Sequence, residues 1–191
     1  MQLEDLVGRE RLVELEAAAS NIRSGKRTFM LSSCGMPNAP LSAHETLLRW
    51  WDGEGAGIRT RSVSAPEIER LEQRYAVTLP ASFRGYLSDA SPAEDPSWDN
   101  ELTNWWPFER LRTVAEDYEH ALAGAVAAYR QKLVLFADYS IWCWGWAINC
   151  APGADYGKVA VIAGKEHDRF VAENFDEFVS KYVANVVSVF P

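Results

Sequence analysis

Ser64–Leu87 reads SAPEIERLEQRYAVTLPASFRGYL, and its spacing predicts two helices joined by a tight link. Ser64 stands at an N-cap position with Glu67 three residues on. At that spacing the hydroxyl and the carboxylate each satisfy an orphan backbone donor. Pro66 falls in the first turn, where its missing N–H removes no helical bond. Ile68, Leu71 and Tyr75 recur at three- and four-residue intervals as one apolar stripe, with Glu67, Glu69, Arg70, Glu72 and Arg74 on the other face. Val77 and Leu79 make a short extended link, because a residue before proline is biased away from the helical region. Pro80 opens the second helix, with Phe83, Tyr86 and Leu87 on one side.

Upstream, Leu3–Ile22 has helical spacing, Thr28–Ser32 reads as a short strand and Cys34–Pro40 as a loop. Ser42 and Glu45 cap a helix running through Trp50, and Gly53–Gly57 is a flexible connector with Arg59 and Arg61 solvated beyond it. The Gly-x-Gly there follows no strand, so it is not read as a phosphate cradle. Downstream, Ala90–Asn104 is a loop of Pro, Ser, Asp and Asn around Trp98. Trp105-Trp106-Pro107-Phe108 makes a short strand or turn, and Thr113–Gln131 reads as a helix. Leu133–Ala137 and Ser140–Ile148 read as strands, the second with Trp142, Trp144 and Trp146 on one face. Both of its faces are apolar, which implies a strand covered on both sides or a sheet curled around helices. A turn over 152–157 leads to an antiparallel strand Val159–Ala163. A last helix starts at Asn174 or Asp176, with Phe175, Phe178, Val179 and Tyr182 inward.

Ala65–Glu72 followed by Leu79–Leu87 resembles the signature of the SUKH superfamily, whose members include bacterial immunity proteins and the yeast Smi/Knr-type cell-wall regulator domain. Leu133–Tyr139, Trp142–Asn149 and Phe170–Tyr182 resemble that family's later segments in the same order, so the likeness spans roughly Leu47 to Tyr182. The family often carries Asn-Gly or Asp-Gly after the second helix; here the text is Asp89-Ala90-Ser91-Pro92. The resemblance implies a non-catalytic protein-binding domain, an immunity protein that neutralises a cognate toxin, such as a basic nuclease, by stoichiometric contact. A regulatory scaffold domain is the alternative it leaves open.

Charge fits a binding role. The chain carries a formal net charge of -8. Ser64–His120 alone holds twelve acids against five bases, or -7, so the excess is local. Such a surface repels nucleic acid and attracts a basic partner. Trp98, ringed by Glu94, Asp95, Asp99 and Glu101, suits an interface anchor, and Trp105 joins these as a candidate contact.

Catalytic signatures are sparse. Gly-x-Ser-x-Gly, the Walker loop and His-Glu-x-x-His do not occur. His44, His120 and His167 stand far apart, and with Cys34, Cys143 and Cys150 they show no zinc-ligand spacing. A hydrolase would have to use Cys34 with His44, or a carboxylate pair among Glu116, Asp117 and Glu119. The three cysteines form no disulfide framework and are expected reduced, at least two packed as small apolar residues. The charged MQLEDLVGRE start lacks a signal core, and no run of about 18 apolar residues occurs, so the expected location is the cytoplasm, away from any membrane.

The expected architecture is α+β: a mainly antiparallel sheet with helices packed around it over residues 44–191, preceded by an N-terminal helical extension over 1–43. No cofactor or metal is expected.

Overall fold

In the computed structural model, which describes residues 41–191, the Ser64–Leu87 stretch forms the two expected helices. Helix α1 covers Ala43–Gly53, strand β1 Thr60–Arg61, α2 Ala65–Tyr75 and α3 Ala81–Ala90. The expectations for 1–40, Cys34 included, lie outside the described residues. Glu67 reaches back to accept from the Ser64 N–H at 2.9 Å and its hydroxyl at 2.6 Å. α2 ends on Ala76 in the left-handed region, φ 49°. Glu72, which the pattern places on the outer face, instead secures the link: it accepts from the Leu79 N–H and from Arg84, each at 2.7 Å. Ile68, Leu79, Phe83, Tyr86 and Leu87 are buried as their spacing requires.

After α3 the chain forms β2 (Ser91–Pro92), which pairs antiparallel with β1. β3 (Thr103–Trp105) and β4 (Arg112–Thr113) lie end to end along one edge of β5 (Leu133–Tyr139). β6 (Trp144–Asn149), β7 (Val159–Ile162) and β8 (Arg169–Ala172) follow, each antiparallel to the one before. The result is α+β. The last helix, Phe175–Ala184, is capped by Asn174, whose side chain accepts from the Glu177 N–H at 2.8 Å.

One sheet face carries an aromatic core. Phe136 lies 5.5 Å from both Phe83 and Phe175 and 5.4 Å from Phe178, ring centre to ring centre. Trp105 and Trp146 pack edge-on against Tyr182 at 5.2 and 6.2 Å. Side chains alternate along β6, so Gly145 faces the other way. A Cβ there would stand 3.1 Å from the Trp142 ring, which covers this second face together with Tyr118 and Trp106.

Two expectations are corrected. Thr113–Gln131 is not one helix: only Val114–Asp117 (α4) is helical, and a 3-10 segment follows at Gly124–Tyr129. Gly124 turns left-handed at φ 59°, the Ala123 N–H goes to Asp168 at 2.9 Å, and Arg130 claims the carbonyls of Tyr118 and His120. Tertiary partners thus take the backbone groups that a continuous helix would use. Nor does Ser140–Ile148 run as one strand. Ser140, Ile141 and Trp142 all have positive φ and form the β5–β6 turn, so β6 starts at Trp144 and Trp142 does not share the face of Trp146. Of those three tryptophans, only Trp146 is fully buried.

Candidate protein-binding surface

The loop between β2 and β3 divides its candidate contacts by depth. Glu94 and Asp95 are exposed; Glu94 pairs with Arg59, and Asp95 accepts from Arg110 at 2.7 Å. Trp98 is half-buried, its backbone bridged to Asn104. Glu101 is half-buried. Asp99, at 5% exposure, and Trp105, at 0%, are core residues, which corrects their expected place on the contact surface. Trp106 is equally buried, so neither member of the tryptophan pair faces solvent.

Asp99 holds the loop in shape. Its Oδ1 accepts from the backbone N–H groups of Glu101 and Thr103 at 2.9 and 3.0 Å, and its Oδ2 from Trp105 Nε1 at 2.7 Å and the Tyr182 hydroxyl at 2.6 Å. Burial raises its pKa, and the bonds from Tyr182 and Trp105 oppose that rise. Asp138 does the same one strand over: it accepts from Trp106 Nε1 at 2.6 Å and from Asn104 at 3.1 Å, with Arg110 at 3.4 Å. The Arg110 guanidinium lies over the Trp106 ring, 4.1 Å from its centre. Arg110 therefore ties the exposed loop, through Asp95, to the buried row beneath.

The apex of this region is apolar. Leu102 is 54% exposed and Ile141 83%, and the Ser140 N–H bonds to the Leu102 carbonyl at 2.9 Å, which sets the two turns side by side. Leu102 and Ser140–Trp142 are all left-handed, a conformation that crowds Cβ against the following carbonyl oxygen. Sequence reasoning missed both apolar residues: tryptophans at every second position from Trp142 mimic a strand and conceal a turn.

The acids of the surface differ in partnership. Arg61, which the sequence suggested is solvated, is partly buried and ion-pairs with Glu67 and Glu109; Arg74 pairs with Glu116 and Arg112 with Asp117. Among the described residues, Asp52, Glu54 and Glu101 have no such cation. Burial raises the pKa of Glu101, and the negative charges of Asp99 and Glu54 raise it further. Part of the unpaired acidic charge thus lies near Leu102, at the end of α1.

The described residues hold little catalytic geometry. His44 lies 3.5 Å from Asp89, and His120 packs on Tyr118. Cys143 is exposed, while Cys150 is buried, its thiol pushed up to about 12 by burial. Glu116 and Asp117 are each held by arginines. No group of three His, Cys, Asp or Glu among the described residues is placed to hold a metal, and no described helix is long and apolar enough to cross a membrane.

A helix pair joined at Leu-Pro, laid over an antiparallel sheet that ends in a capped aromatic helix, defines the class of protein by its scaffold. The model of the SMI1 / KNR4 family (SUKH-1) matches residues 62–181, and the chain belongs to that family. No curated protein matches the chain in sequence.

Proposed function

We propose that this domain is a non-catalytic binding protein that acts as an immunity protein in the cytoplasm, neutralising a cognate toxin by one-to-one contact. Membership of the SUKH-1 family supports the reading. The observation that carries it is the apex itself, where Leu102 and Ile141 stand exposed next to Glu101, with Glu94, Asp95 and Trp98 on the same loop. An apolar knob with an acidic surround matches a basic partner: the charges speed encounter, and the apolar pair is desolvated on contact. The contact set is therefore Glu94, Asp95, Trp98 and Glu101, extended by Leu102 and Ile141. Asp99 and Trp105 hold it from beneath.

The test is the association rate, at low salt, with the protein product of the adjacent gene. Neutralising the three acids together (E94Q, D95N, E101Q) should slow association by about tenfold or more, with a smaller effect at high salt. An unchanged low-salt rate rejects the steering role, and a product that does not bind the parent protein at all rejects the immunity reading.

A further inference from the structure

Between the end of α2 and the β3–β4 connection lies an open pocket of about 450 Å³, whose walls include Arg74, Tyr75, Glu109, Arg110, Arg112 and Glu116. Its acids are satisfied. Glu109 pairs with Arg61, and Glu116 accepts from the Tyr75 hydroxyl at 2.5 Å and from Arg74 at 3.2 and 3.4 Å. Its arginines are less so. Arg110 is engaged by Asp95 at 2.7 Å and Asp138 at 3.4 Å and lies over the buried Trp106 ring. Arg112 lies over the same ring, 5.6 Å from its centre, but its guanidinium forms no hydrogen bond among the described residues. Asp117 Oδ1 stands 2.8 Å from Arg112 Nε without receiving its N–H. That Nε is closed off from solvent while the side chain is 41% exposed, so a ligand meets Arg112 at its terminal N–H groups. Arg74, 63% exposed, uses only one terminal nitrogen among the described residues. The Tyr75 hydroxyl holds the Glu116 pKa below its usual value, and the charges of Arg74 and Arg112 lower it further, which sets both guanidinium groups near one carboxylate.

We propose that this pocket receives one aspartate or glutamate side chain of the bound protein, its carboxylate bridging the terminal N–H groups of Arg112 and Arg74. A guanidinium held over an aromatic face still presents its in-plane donors, and two carboxylate oxygens match that planar fork. A phosphate group would bring about −1.5 to −2 charges against Glu109 and Glu116, where a carboxylate brings a single charge. The proposal rests on the protein-binding reading above. It adds a contact of opposite sign beside the acidic loop, to which Arg110 joins the pocket through Asp95. A basic partner with an acid at this distance from its basic contacts is favoured, and one without it leaves Arg112 unmatched on binding.

The test uses the full chain and a small probe, N-acetyl-glutamate N-methylamide, at constant ionic strength, with the arginine side-chain resonances as readout. R112K identifies the Arg112 Nε–H signal by its loss. The probe should move that signal saturably in the millimolar range. The neutral isostere N-acetyl-glutamine N-methylamide should bind about tenfold more weakly, and R74Q should weaken the glutamate probe by about the same factor, read at Arg112. Arg74 is an exposed position, and unchanged backbone resonances elsewhere confirm the fold of R74Q. Inorganic phosphate should bind more weakly than the glutamate probe. An Arg112 signal that does not move overturns the proposal, as does equal binding of the glutamine probe or of the glutamate probe to R74Q. Tighter binding of phosphate overturns it in favour of a phosphate site. No toxin enters this experiment, so its failure is separate from that of the immunity reading.

Discussion

At Asp99 a single carboxylate closes four hydrogen bonds beneath the surface loop. Replacing it with asparagine keeps one acceptor oxygen for the two backbone donors and puts an amide N–H₂ where Trp105 Nε1 needs an acceptor. A buried donor left unmatched costs about 1–3 kcal/mol. D99N should lower the unfolding free energy by that amount in urea titration, and an unchanged midpoint would show that the indole has another acceptor. The pH dependence has a fixed sign. Burial raises the folded-state pKa of Asp99 above the ordinary 3.8, so between those two values the folded state holds the extra proton. Stability from this group therefore falls as pH rises through the window. The slope should flatten in D99N, and a slope identical in parent and variant would place the titration elsewhere. In the sequence Asp99 is one acid in an acidic run, and nothing local distinguishes it from Asp95. Its depth comes from pairing β3 with β5 and from the arrival of Tyr182, which follows it by 83 residues.

Among the elements, the turn between β5 and β6 departs furthest from local preference. Three consecutive residues with side chains are left-handed, the middle one a β-branched isoleucine whose side chain is 83% exposed. That conformation costs about 1–2 kcal/mol per residue with a side chain. Ile141→Gly relieves the backbone and removes little buried surface, so it should stabilise the domain by about 1 kcal/mol in thermal or urea unfolding. The same change should weaken toxin binding. A gain in stability with binding intact would separate the strain from recognition. This turn also marks where the sequence is legible and where it is not. The capped helices at 43–53, 65–75 and 175–184 are readable because their caps and stripes are local, and so is the antiparallel return at Val159. The 114–130 segment has equally good helical spacing and still forms no long helix. Asp168, Arg130 and the left-handed Gly124 decide its path, and none of these lies in its apolar pattern.

Across the whole molecule, the aromatic core and the acidic rim occupy different layers, so stability and recognition should separate by mutation. Phe178 touches Phe136, Trp105, Trp146 and Tyr182 and is fully buried. Phe178→Ala leaves a cavity among rings that cannot collapse around it, a loss of about 3–5 kcal/mol. That is a large share of the roughly 5–15 kcal/mol that holds a domain of this kind together. The rim triple variant E94Q/D95N/E101Q breaks only surface pairs at Arg59 and Arg110, and Arg110 keeps Asp138 and the Trp106 ring. It should stay within about 0.5 kcal/mol of the parent, as surface changes do. Combined with Phe178→Ala, the two effects should add, because the sites share no partner. Urea midpoints of the four proteins, followed by near-ultraviolet circular dichroism of the buried tryptophans, measure this directly. Strong coupling between rim and core would mean that the acidic loop is part of the fold rather than a surface carried on it. The association experiment would then have to be read as a folding effect.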